Sequence, residues 1–431
     1  MNLQQEITAR GLLKQATDEK LFDLYDKGGQ TLYVGMDPTA DSLHLWNFVW
    51  FMHALQYMKR GNKLIFIVWW ATGMIGDPGG KNAERSFLDE ETLAHNVAKI
   101  EAQVQIILDN ISAISGETFE FEVKNNLDFF KEMNYLEFLR KVGKYITVNN
   151  MMKKETVKKR LETEDQSISY TEFSYMLIQG YDFVRLHDDY GCKLQIAGSD
   201  QRGNVVTGIE LINKISDKED TDAYGATTPL ILDSAGKKFG KSEGNALRLS
   251  PEKNSPYTIY NYFMNVADED VARYMKIFTL LPIEEIDTFT AQHMEQAHLR
   301  EWQKRLAYLV TQIIFGTMEA DTCALVQNTL YGDDVIENMK KLDTQQLISL
   351  NTATGGIIWD GWRILEILVQ TWLCDSNSEA KKVLKNNAIS LNENKITDIW
   401  YEISDDDWIN GQILLLRKGK KTFKTLLKSK M

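Results

Sequence analysis

A chain of 431 residues with 43% hydrophobic side chains can fill about two or three cores, which excludes a disordered protein. No run approaches the ~18 uninterrupted apolar residues of a helical membrane span, so no membrane partner is expected. The net charge of −12 argues against an extended, sequence-blind grip on nucleic acid.

The opening MNLQQEITARGLLKQ reads as a polar amphipathic helix rather than a signal peptide. Residues 31–37 (TLYVGMD) and 63–70 (KLIFIVWW) are short apolar runs rich in β-formers. A helical stretch over 43–60 separates them and closes at Gly61. Strand, helix and strand in that order imply parallel pairing. Between 85 and 190 the pattern is mostly helical, and strand-like runs return at 193–198 (KLQIAG) and 228–233 (TPLILD). The first part of the chain therefore reads as an open α/β domain.

From 255 to 350 helical spacing dominates, as in ADEDVARYMKIFTLL and HLREWQKRLAYLVTQIIF. The polar stretch 340–356 reads as a linker. Beyond it come two helices and the short strands NAISLNEN and GQILLLRKGKK, a small α+β unit. That unit carries twelve Lys/Arg against ten Asp/Glu, and seven of the twelve fall in the last 15 residues. Such a tail is either a solvated end or a phosphate-binding one. Cys192, Cys323 and Cys374 lie far apart without metal-ligand spacing and read as reduced, buried thiols.

Two segments suggest chemistry. Tyr33-Val-Gly-Met-Asp-Pro-Thr-Ala-Asp-Ser-Leu-His-Leu-Trp-Asn47 ends a strand, turns, and opens a helix. In an open parallel sheet the ligand crevice lies at that carboxyl edge, and a helix N-terminus there attracts anions. Ala235-Gly-Lys-Lys-Phe-Gly-Lys-Ser-Glu-Gly244 places three lysines within five residues between glycines. A loop of that kind can close on a polyphosphate.

Together they resemble the two signatures of class I aminoacyl-tRNA synthetases, the HIGH motif at His44-Leu-Trp-Asn47 and the KMSKS motif at Lys238-Phe-Gly-Lys-Ser242. Ala71-Thr-Gly-Met-Ile-Gly-Asp-Pro78, Thr171-Glu-Phe-Ser-Tyr-Met-Leu-Ile-Gln-Gly-Tyr-Asp-Phe183 and Gly198-Ser-Asp-Gln201 narrow the resemblance to bacterial tyrosyl-tRNA synthetases. The C-terminal unit is similar to the RNA-binding module of small-subunit ribosomal protein four at Ser378-Glu-Ala-Lys-Lys382 and Leu414-Leu-Leu-Arg-Lys-Gly-Lys-Lys421.

The resemblance implies a Rossmann-like, parallel-sheet catalytic domain (1–222) and an α-helical anticodon-side domain (223–340) that starts with the KFGKS loop. A linker (341–356) and a small α+β RNA-binding domain (357–431) would follow. Tyrosine would hold its phenol between Tyr33 and Asp182 and its ammonium against Asp77, Tyr175 and Gln179. ATP would lie across Gly35, Asp37, His44, Gly198, Asp200 and Lys241. Thr39 and His44 would take the γ-phosphate. Lys81, Arg85, Lys238 and Lys241 would close over pyrophosphate. Lys381, Lys382, Arg417, Lys418, Lys420 and Lys421 would meet RNA. The implied partners are tRNA(Tyr), L-tyrosine and ATP with Mg²⁺, without a tightly bound metal or prosthetic group. The implied state is a cytoplasmic homodimer.

The sequence departs from that family at Trp46, Trp69, Trp70 and Trp372, where glycine is expected, and at Trp50, where glycine or proline is expected. Arg202 replaces a tryptophan, and Asn47 the second motif histidine. Read literally, the indoles narrow the pockets and give a catalytically impaired, RNA-binding or regulatory paralogue. Alternatively, glycine codons of the source have been read as tryptophan. The aspartates, tyrosines and lysines of the motifs all stand, which favours the second reading.

Overall fold

The computed structural model describes residues 1–73, 89–163, 167–218, 221–242, 245–295, 297–359, 361, 363–419 and 422–429. The chain divides into two compact units, 1–254 with 265–306, and 255–264 with 307–431.

The first unit is built on a six-stranded sheet. Its strands are β1 (Gln15–Ala16), β2 (Thr31–Met36), β3 (Lys63–Val68), β4 (Phe121–Asn125), β5 (Cys192–Gly198) and β6 (Tyr224–Thr228). The order across the sheet is β1-β6-β5-β2-β3-β4, and every pair is parallel except β1 with β6. β2, β3 and β5 are apolar runs buried almost throughout, as a parallel sheet covered on both faces requires. β2 lies between β5 and β3, so the chain's direction of travel across the sheet reverses there.

The helices of this unit include α1 (Leu3–Ala9), α2 (Leu45–Met58), α3 (Trp70–Gly73), α4 (Glu90–Ser115), α5 (Tyr170–Tyr190), α6 (Arg202–Ser216) and α7 (Asp268–Phe278). α5 begins with a reciprocal cap between Ser169 and Glu172 and ends at Gly191 in the left-handed region, φ 62°. Arg10, at the end of α1, donates to the carbonyl oxygens of Lys276, Thr279 and Leu281 around the end of α7. Phe48 of α2 stacks on Phe278, which adds α7 to the same packing.

Three expectations change. The strand predicted at 228–233 is instead Tyr224–Thr228, because Pro229 has no amide to continue the ladder. The sheet thus runs past the boundary expected at 222, and residues 265–306 pack with it rather than in a separate helical domain. β4 lies in the stretch read as helical; its five residues are all half-buried, which blurs their alternation.

In the second unit the expected linker holds α8 (Thr344–Ala353), started by a reciprocal cap between Asp343 and Gln346 and burying Leu347 and Leu350. A five-stranded sheet follows, formed by β9 (Ile357–Trp359), β10 (Ile389–Leu391), β11 (Asn394–Ile396), β12 (Ile413–Lys418) and β13 (Thr422–Lys428) in the order β11-β10-β12-β13-β9. α9 (Ile364–Gln370) and α10 (Asn377–Lys385) pack with it around Ile367, Leu368, Leu384, Leu414 and Leu416. A two-stranded hairpin in the first unit, Lys241–Ser242 with Asn245–Ala246, lies in the lysine loop. Cys192, Cys323 and Cys374 are buried free thiols.

Candidate functional site

The strand order reverses between β2 and β5, and in such a sheet the usual ligand crevice lies at the carboxyl ends of the parallel strands at that point. α5 crosses beside it. Tyr175, Gln179 and Asp182 recur at helical spacing and share one buried face of α5.

Four polar atoms of these elements are buried without a hydrogen-bond partner: Tyr33 Oη, Asp182 Oδ1, Gln179 Nε2 and Gln195 Nε2. Leaving one such group unpaired costs about 1–3 kcal/mol, so four together mark a place built for a polar ligand. Asp182 is oriented by Asn126, whose Nδ2 donates to Oδ2 at 3.1 Å. Asn126 also accepts from the amide of Ala71 at 2.8 Å, tying the start of α3 to the same carboxyl. Burial pushes the Asp182 carboxyl well above its ordinary range, against the lowering effect of Asn126. Burial, and then the Asp182 charge, push the Tyr33 phenol up. Gln179 accepts from Asn204 Nδ2 at 2.8 Å. Tyr175 donates to Asp37 at 3.3 Å.

The two signature segments meet. His44 caps α2: its Nδ1 accepts from the Asn47 amide at 3.2 Å, while Asn47 Oδ1 accepts from the His44 amide at 3.0 Å. An accepting Nδ1 puts the ring proton on Nε2. Burial, and then the Arg248 charge, lower the imidazole pKa to about 4, so the ring is neutral near pH 7. Leu45 donates to the Leu247 carbonyl at 2.9 Å, and Leu247 to that of Gly240 at 2.9 Å. Gly240 has φ +76°, and a Cβ on it would stand 3.1 Å from Leu45 Cβ. The glycine of the lysine loop thus allows close approach to the opening of α2.

Of the other expected site residues, Gly35 is the next-to-last residue of β2, Gly198 ends β5, and Asp200 folds back over Gly198. Thr39 and Lys238 are exposed. Lys241 pairs through its backbone with Ala246. Asp77, Lys81, Arg85, Lys420, Lys421 and the Lys241 side chain lie outside the described residues. Lys381 and Lys382 are exposed on α10. Arg417 instead donates to the Leu330 carbonyl at 3.0 Å and pairs with Glu393 at 3.1 Å. Lys418 reaches Glu379 at 2.7 Å and the Leu373 carbonyl at 2.7 Å. Both are engaged within their own unit. Among the described residues no cluster of His, Cys, Asp or Glu could hold a metal ion.

Sequence reasoning missed Asn126, Gln195, Asn204 and Arg248. Gln195 had one local signal, a glutamine inside an apolar strand, in register with Tyr33. Asn126 had none, because its partner stands 56 positions away.

Residues 26–332 match the family model of tRNA synthetases class I (W and Y), and residues 357–426 that of the tyrosine–tRNA ligase SYY-like C-terminal domain. The chain is 40% identical over 427 residues to the tyrosine–tRNA ligase of Streptococcus suis (strain 98HAH33), covering 99% of this chain and all of that one. It is 39% identical over 438 residues to the tyrosine–tRNA ligase of Bacteroides thetaiotaomicron, with 99% and 100% covered. The C-terminally truncated mitochondrial tyrosyl-tRNA synthetase of Aspergillus nidulans superposes with a TM-score of 0.69 at 28% identity, covering 76% of this chain and 94% of that one.

Proposed function

We propose that this chain, which belongs to the tyrosine–tRNA ligase family of class I tRNA synthetases, activates L-tyrosine with ATP and passes the tyrosyl group to the 3′ end of tRNA(Tyr). The observation that carries the reading is the pair of unpaired buried atoms, Tyr33 Oη and Asp182 Oδ1. One phenolic hydroxyl can accept from the first and donate to the second. A phenylalanine ring would leave both orphaned, at about 1–3 kcal/mol for each group.

Tyr175 and Gln179, with Asp77, would take the substrate ammonium. That leaves the substrate carboxylate facing the end of β2, where Asp37 stands. The carboxylate attacks the α-phosphorus of ATP, pyrophosphate leaves, and tyrosyl-adenylate forms. The terminal ribose hydroxyl of tRNA then displaces AMP. No protein nucleophile is required, so the work is positioning and charge neutralisation. Gly35, Gly198 and Asp200 would border the nucleotide. His44, neutral and donating from Nε2, and Thr39 would hold the γ-phosphate. Lys81, Arg85, Lys238 and Lys241 would offset the charge on departing pyrophosphate. Mg²⁺ would enter bound to the phosphates of ATP.

The catalytic part would be the first unit, and the sheet unit from 357 onward would contact tRNA, with the exposed Lys381 and Lys382 among its cations. A cytoplasmic homodimer completes the reading. Support for the dimer is a set of exposed apolar side chains on the first unit, Tyr135, Leu136, Val148, Met152 and Tyr170. Tyr135 and Tyr170 share a hydroxyl contact of 3.0 Å, which holds two of these segments together.

The test is tyrosine-dependent exchange of pyrophosphate into ATP, made on the chain as written and on a variant with Trp46→Gly, Trp69→Gly and Trp70→Gly. Exchange that needs L-tyrosine supports the ligase. A folded glycine variant without exchange supports the regulatory paralogue instead.

A further inference from the structure

We propose that, in the protein its source organism makes, positions 46, 50, 69, 70 and 372 carry glycine, inserted at UGA codons that a tryptophan-reading translation has written as Trp. The part that concerns the crevice rests on the ligase reading; the part that concerns position 372 does not.

Trp372 follows α9 with φ +57° and is 85% exposed. Its amide donates to the Val369 carbonyl at 3.0 Å, and the Cys374 amide to that of Leu368 at 2.9 Å. This is the left-handed closure that ends a helix, a place that favours glycine because a Cβ there is strained. The same chain uses Gly116 (φ 73°) and Gly191 (φ 62°) to end α4 and α5. Most other non-glycine residues with positive φ among those described are Asn or Asp, whose short side chains tolerate it. An exposed indole gains no burial to offset the strain.

The other four gather at the crevice. The Trp69 ring lies directly on Gly35, where a Cβ would fall inside it. The Trp50 ring stands 3.3 Å from the Cβ position of Gly198. Trp46 meets Trp50 edge to face, centroids 6.4 Å apart. The indole N–H groups of Trp50, Trp69 and Trp70 are all buried without a partner. A buried indole normally finds an acceptor. These rings cover the two glycines that the nucleotide needs bare, and they bring three orphaned donors.

Trp302 and Trp408 behave differently. Trp302 packs on Phe289 at 4.7 Å with Arg305 over its ring. Trp408 is buried in the second unit's core with Lys428 over it. Ordinary aromatic packing is therefore present elsewhere in the chain.

A single exchange resolves the anomalies at these five positions; Asn47, Arg202 and the unpaired Trp359 N–H lie outside it. Glycine frees the left-handed cap, uncovers Gly35 and Gly198, and removes the orphaned donors. Independent decay has no reason to prefer tryptophan at both an exposed cap and a buried crevice. It would also strike Tyr33, Asp37, Tyr175, Gln179 and Asp182, all of which stand. Glycine codons GGA and GGG become UGA and UGG by one base, so a UGA codon read as glycine supplies the common cause.

The deciding experiment is the gene sequence at the five codons, together with peptide mass spectrometry of the protein purified from its source. UGA codons and glycine-mass peptides are expected. UGG codons, or peptides carrying tryptophan at these positions, overturn the proposal. Pyrophosphate exchange by the five-glycine protein is measured beside it. If the codons are UGA and that protein is folded yet inactive, the ligase reading fails while the glycine assignment stands.

Discussion

Tyr175 donates a hydrogen bond to Asp37 across 3.3 Å, joining the second turn of α5 to the residue that follows β2. The contact links the place proposed for the amino-acid ammonium to the place proposed for the nucleotide. A carboxylate that accepts from Tyr175 is held in one orientation before either substrate arrives.

Tyr175→Phe should therefore weaken use of tyrosine more than use of ATP. A hydrogen bond to a charged group contributes about 1.5–3 kcal/mol, so kcat/KM for tyrosine should fall about 10- to 100-fold. Exchange kinetics with tyrosine and ATP varied separately check this. Equal losses for both substrates would point to a general loss of fold instead.

Asp182 supplies a pH-dependent prediction. Burial raises its carboxyl well above the ordinary value, so the folded, ligand-free chain holds that proton more tightly than the unfolded chain does. The stability it contributes is full below the unfolded value of 3.8 and is lost as pH rises toward the folded one. Asp182→Asn should raise the melting temperature of ligand-free protein at neutral pH and abolish preference for tyrosine over phenylalanine. Melting curves across pH and exchange assays with both amino acids report the two halves.

His53 predicts the opposite acid behaviour. It is fully buried, its Nδ1 lies 2.8 Å from Thr228 Oγ1, and burial lowers its pKa to about 3. The unfolded chain takes up a proton near 6.5 that the folded chain refuses. Stability should fall as pH drops from 6.5 toward 3, with a slope of about 1.4 kcal/mol per pH unit from this group. Urea unfolding of His53→Gln across that range should show a shallower loss.

The roles expected of Tyr33, Tyr175, Gln179 and Asp182 came from the resemblance to tyrosyl-tRNA synthetase motifs, and local spacing speaks to their placement alone. Tyr175, Gln179 and Asp182 share a helix face by count alone, and the strand–turn–helix around His44 announces a crevice. What was not legible depends on partners distant in sequence. Asn126 matters because Asp182 comes to it, and the half-buried β4 shows no alternation to read. The polar 341–356 stretch reads as a linker, yet Asp343 and Gln346 cap a helix that buries Leu347 and Leu350. Pro229 has no amide for the ladder, so the strand ends at Thr228, five residues before the expected end at 233.

Trp372→Gly isolates the cap from the crevice. Releasing a bulky residue from a left-handed φ should stabilise the second unit by about 1–2 kcal/mol. The denaturation midpoint should rise with no change in the slope against denaturant. An unchanged midpoint would mean that the indole finds packing that offsets the strain.

The most direct measurement of the central claim is pyrophosphate exchange by protein carrying glycine at 46, 50, 69, 70 and 372. The account predicts ATP–pyrophosphate exchange that requires L-tyrosine, is not supported by phenylalanine, and loses its preference for tyrosine over phenylalanine with Asp182→Asn. A folded five-glycine protein that shows no exchange with tyrosine would contradict it.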